Sequence, residues 1–101
     1  MDKQEIRKVV LGVIINKKKG YSNNVDIMDI QRGLDCFINK SNEITDLVDV
    51  DTKLLVIANE VMWDLVFERV ISPAMYPAGK DGSQDFMILD EQKVINCINS
   101  L

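Results

Sequence analysis

The chain has 101 residues, enough for one domain and too few for a second with its own core. A hydrophobic fraction of 47% with 28% charged residues excludes the disordered and fibrous classes. The absence of histidine removes the commonest general base and the commonest zinc ligand, and a net charge of -4 disfavours a generic polyanion binder.

In chain order, Ile6, Val9, Val10, Val13 and Ile14 follow the 3.6-residue period and predict a first helix over residues 2–16. The run Val9 to Ile15 is too short and too close to charges for a signal peptide or a membrane span. A soluble protein of the cytoplasm is expected, with no membrane partner. Lys17, Lys18 and Lys19 meet the negative end of the helix dipole, and Gly20 is expected to stop it. Asp26 is then placed to cap a second helix at about 26–39, with Ile27, Ile30, Leu34, Phe37 and Ile38 as its apolar stripe. Ile44, Leu47 and Val48 allow one short helical turn within the polar stretch 41–51.

Asp51 can cap the most apolar segment of the chain, residues 52–70, which has no Gly or Pro and predicts a central helix buried on most of its circumference. Trp63 is expected to anchor the core there. The polar strip of this helix runs through Glu60, Asp64 and Glu68 at i, i+4 and i+8, so its water-facing side is acidic. Val70 to Pro73 and Phe86 to Leu89 predict two strands flanking a long Gly-containing loop, and Asp90 caps a last helix built on Val94, Ile95, Ile98 and Leu101. The fold class is mainly α with a small β-hairpin, in the order α-α-(short α)-α-β-β-α.

That order, with the stretch Met62 to Pro73 and with Phe86, Ile88 and Asp90 in the returning strand and cap, resembles the winged helix-turn-helix domains of many small bacterial proteins. The resemblance lies mainly over residues 52–100 and makes residues 1–101 one winged-helix-like domain. It implies nucleic-acid binding, with the third helix in the major groove and the hairpin loop as a wing. Glu60, Asp64 and Glu68 would face the phosphate charge in that pose and be repelled.

Cys36 and Cys97 lie in apolar stretches without other ligands nearby, which gives no metal site and favours two buried thiols over a disulfide, a pairing that spacing alone leaves open. Asp49, Asp51 and Glu60 match positions one, three and twelve of a calcium loop, but Leu54 stands where its turn needs glycine. No metal or cofactor site follows. No acid, base and nucleophile converge either, so a non-enzymatic protein is expected.

The charge is unevenly divided. Residues 1–20 hold six basic and two acidic side chains, and residues 21–101 hold six basic and fourteen acidic ones. Two functions compete on this basis. The favoured one is a small acidic adaptor or inhibitor that docks on a protein partner through Glu60, Asp64 and Glu68 or through Met75 and Tyr76 in the loop. The alternative is a transcriptional regulator contacting nucleic acid through Lys17, Lys18 and Lys19 and through Lys80 in the wing. An apolar helix in so small a domain also leaves a homodimer open.

Overall fold

A computed structural model of the chain describes residues 1–39, 52–74 and 85–101. The described residues form four helices and a small antiparallel sheet, in the order α1 Lys3–Lys19, β1 Asn24–Val25, α2 Ile27–Asn39, α3 Thr52–Phe67, β2 Ile71–Pro73, β3 Phe86–Ile88 and α4 Glu91–Asn99. The expected turn within 41–51, the cap at Asp51 and the hairpin loop over 75–84 lie outside the described residues.

The helix starts follow local chemistry. Asp2 accepts the Glu5 backbone N–H at the head of α1, and Asp90 accepts that of Gln92 at the head of α4. At α2 the capping is reciprocal. Asp26 Oδ1 accepts the Asp29 N–H at 2.9 Å while Asp29 Oδ2 accepts the Asp26 N–H at 3.0 Å. Asp26 is partly buried, and that burial pushes its carboxyl above the usual range against the opposing donation from Asp29; the Asp29 and Asp85 carboxylates push it the same way as burial.

Two helices end on left-handed residues that are not glycine. After α1, the Ser22 N–H reaches the Lys17 carbonyl and the Tyr21 N–H reaches that of Lys18, with Tyr21 at φ 63°. Gly20 therefore sits one position before the left-handed residue, at φ -83°, rather than at it. After α3, Val70 and Arg69 repeat the pattern onto Leu65 and Val66, with Arg69 at φ 61°. Val70 and Leu65 are both buried, so the turn that closes α3 also folds the chain back onto the core.

The strand order is β1-β3-β2. Ile71 pairs with Ile88, Ser72 with Met87 and Pro73 with Phe86, as the hairpin reading expects, and β1 adds Asn24 opposite Met87 and Val25 opposite Phe86. The sequence reading missed β1. Alternation puts Phe86 and Ile88 into the core and leaves Met87 outside.

The helix at the centre is α1, which packs against α2, α3 and α4. Ile6, Val10, Leu11 and Ile14 are fully buried, each contributing about 1.5–3 kcal/mol relative to exposure. Its buried arc is wider than the single stripe expected because three helices cover it. Conversely, α3 is not buried on most of its circumference. Ala58, Val61, Met62 and Leu65 enter the core, but Val56 and Phe67 are exposed and Trp63 is only partly covered. Cys36 and Cys97 form no disulfide, and both are half-buried rather than buried as expected. No helix among the described residues is long and apolar enough to cross a membrane.

Candidate functional site

The acidic strip of α3 lies along α1. Lys3 Nζ is 3.0 Å from Glu60 Oε1 and 2.9 Å from Asp64 Oδ2. One turn further on, Arg7 donates from Nη1 and Nη2 to the two oxygens of Glu68, both at 2.8 Å. Lys3 and Arg7 are four apart on one helix, as are Glu60, Asp64 and Glu68 on the other, so two i, i+4 rows meet along a seam. The paired fork of Arg7 on Glu68 is the strongest ionic geometry in it. The hydrogen bonds that Lys3 donates, to Asp64 first and Glu60 second, raise the pKa of its ammonium above the ordinary value, and donation to Glu68 does the same for Arg7. Three carboxylates facing two cations leave this edge one negative charge, far less than the strip shows in sequence. The surplus lies at the Glu60 end, where the side chain is 61% exposed.

Beside that seam α3 presents an apolar stripe. Val56, Trp63 and Phe67 are separated by seven and four residues and so share one face, with 63%, 40% and 85% of their surface exposed. Glu60 is three residues before Trp63, and Asp64 is three before Phe67, which places the seam directly along one border of the stripe. Trp63 is held from behind by an edge-on contact with the buried Phe86 ring, centroids 5.4 Å apart and planes at 79°. It is anchored in the core and open to solvent, and this helix face is apolar with an acidic border.

The other candidates from the sequence are dispersed. Lys17 Nζ is 3.3 Å from Asp29 Oδ1, and Lys18 Nζ donates to Asn23 Oδ1 at 2.6 Å. Lys19 is exposed. Met75, Tyr76 and Lys80 lie outside the described residues. No His, Cys, Asp and Glu grouping among the described residues has the arrangement of a metal site.

Sequence reasoning missed two features here. The exposed stripe was hidden because Val56, Trp63 and Phe67 are residue types that equally fit a core. The seam had a signal in the uneven division of charge, since the surplus of cations in residues 1–20 includes Lys3 and Arg7 at the spacing that matches the acids of α3. Comparison of the chain with protein-family models, with curated proteins and with solved structures gives no significant match.

Proposed function

We propose that this chain is a non-catalytic protein-interaction module, of the adaptor or inhibitor kind, that docks through the exposed face of α3. The observation that carries the reading is the Val56, Trp63 and Phe67 stripe. Large aromatic side chains exposed on a rigid helix have the character of interface anchors, which gain most when a partner desolvates them. The partner chemistry is an apolar groove with a cation on one edge, opposite Glu60 and Asp64. A winged-helix-like arrangement is supported by the way α3 turns through Arg69 into β2, and by the return of β3 into the capped α4. The usual use of such a fold on DNA is disfavoured here, because the helix that would enter the groove offers carboxylates and hydrocarbon to phosphate.

The test pairs two measurements. The protein is used to capture its partner from cells that express it, with wild type, Phe67→Ser, Val56→Ser and Lys93→Ser compared at equal expression. The reading expects one partner retained by wild type and Lys93→Ser and lost from the two α3 variants. In parallel, duplex DNA is titrated by fluorescence anisotropy at low and high salt. Submicromolar, salt-sensitive binding that disappears when Lys17, Lys18 and Lys19 become alanine would replace this reading with the nucleic-acid one.

A further inference from the structure

We propose that the outward face of α1, between α2 and α4, is a docking groove for an acidic amphipathic helix of a partner protein. This does not rest on the α3 stripe and adds a second surface to the module.

The groove between α1 and α2 has a volume of about 640 Å³. Its floor is hydrocarbon and sulfur, from Val9 and Val13 on α1 and Cys36 and Phe37 on α2, and Phe37 is 51% exposed. A second depression, lined by Lys8, Gly12, Ile98 and Leu101, lies between α1 and α4. The two depressions meet at Gly12, which lines both. A Cβ at Gly12 would meet nothing within 4 Å, so no packing among the described residues requires glycine there. Glycine in a helix interior costs about 0.5–1 kcal/mol relative to alanine, a cost that no contact among the described residues offsets. What glycine does provide is a low point in the α1 surface where a crossing helix can approach the backbone.

The charge on this face identifies the occupant. Lys8, Gly12 and Asn16 follow one another at four-residue spacing along the outer side of α1 and line the depressions, while Lys19 lies beyond them. Arg32 stands exposed at the α2 rim, and its guanidinium has no hydrogen bond or ion pair among the described residues. The one side-chain carboxylate lining the depressions, Asp29, is already held by Lys17 Nζ at 3.3 Å and by the Asp26 N–H at 3.0 Å. Glu5, one turn before Lys8, lies beyond the two depressions. The depressions therefore join an apolar floor to one exposed cation on each helix, Lys8 on α1 and Arg32 on α2. A helix with an apolar stripe and flanking carboxylates satisfies both parts. Phosphate would satisfy only the rim and leave Phe37 in water. A second copy related by a twofold axis would set Lys8 and Arg32 against their own kind.

The test uses a fluorescein-labelled helical peptide of roughly 18 residues, long enough to be helical when bound, with leucine at i, i+3, i+4 and i+7 and glutamate on both flanks. A second peptide carries lysine in place of glutamate. The acidic peptide is expected to bind with micromolar affinity, weaken as salt rises, and perturb the amide resonances of Gly12, Gly33 and Leu101. The lysine peptide is expected to bind at least about tenfold more weakly. Arg32→Glu, at an exposed position, and Gly12→Leu, where a Cβ meets open space, are expected to weaken binding of the acidic peptide about tenfold, by charge reversal and by filling the groove, with urea midpoints no lower than that of wild type confirming that both variants fold. Phe67→Ser is expected to leave this binding intact, so failure here and failure of the α3 reading are separable. Equal affinity for the two peptides, or indifference to both substitutions, overturns the proposal. So does a dimer in sedimentation that Gly12→Leu dissociates, which would give the groove to a second copy.

Discussion

Alanine at Gly33 is expected to leave the protein less stable than alanine at Gly12, although both replace glycine in a helix interior. Each substitution gains about 0.5–1 kcal/mol from reduced freedom of the unfolded chain and better helix propensity. At Gly12 that gain stands alone, because the new methyl meets open space. At Gly33 the new Cβ overlaps Val13 Cγ2 and comes to 3.7 Å from Val9 Cγ1, so it wedges α2 away from α1. Valine in a helix strongly prefers one χ1 rotamer, and Val13 cannot swing aside cheaply. Overpacking of this kind costs about 1–3 kcal/mol, which leaves Gly33→Ala between neutral and about 2.5 kcal/mol destabilised. The two variants should then differ by about 1–3 kcal/mol, at about 4–8 °C of Tm per kcal/mol for a domain of this size. Thermal and urea melts followed by circular dichroism measure this, with unchanged urea slopes confirming that the compared states are the same. Equal stabilisation by both substitutions would refute the close approach of α1 and α2 at Gly33.

Tyr21→Gly should raise stability by about 1 kcal/mol, since the left-handed backbone is relieved and a side chain 97% exposed has no packing to lose; a lower urea midpoint would contradict it. Alanine variants of Arg7 and Glu68 in a double-mutant cycle should show a coupling of about 0.5–1 kcal/mol that shrinks with salt, and zero coupling would mean that the seam does not order the α1–α3 contact. Asp26→Asn keeps the oxygen that accepts the Asp29 N–H and removes a partly buried charge. Because burial raises the folded-state pKa of Asp26, its carboxyl favours folding most when protonated and loses that advantage as pH rises through its folded value. The variant should therefore be more stable than wild type near pH 7, with the difference vanishing below the ordinary carboxylate range of about 3.9. Destabilisation at both pH values would show that the cap, not the charge, dominates.

Features decided within a few residues were legible in the sequence. Asp90 with Val94, Asp26 with Ile30, and the Val70 to Pro73 strand all carry their signals locally, and each appears within a residue or three of its expected bounds. What failed depended on distant partners. The β1 strand is two residues long, and only its pairing with Met87 and Phe86 makes it a strand. Apolar content could not say which helix is central, because Val56, Trp63 and Phe67 are compatible with a core or with a surface until the position of α1 is known. The acids of α3 were legible as a strip, but their pairing with Lys3 and Arg7 required the two helices to lie side by side. For the candidate site, the sequence pointed to α3 through its acids, whereas the exposed hydrocarbon beside them becomes legible only once α1 is placed against α3.

The most direct test of that assignment is site-specific photo-crosslinking in cells that express the protein. A benzophenone side chain is placed in turn at Phe67, at Val56 and at Lys93, which is exposed on α4. A protein partner docked on α3 predicts one discrete protein adduct from positions 67 and 56 and none from 93. Adducts of equal yield from all three positions, or none from position 67, would contradict the proposal that α3 is the binding face.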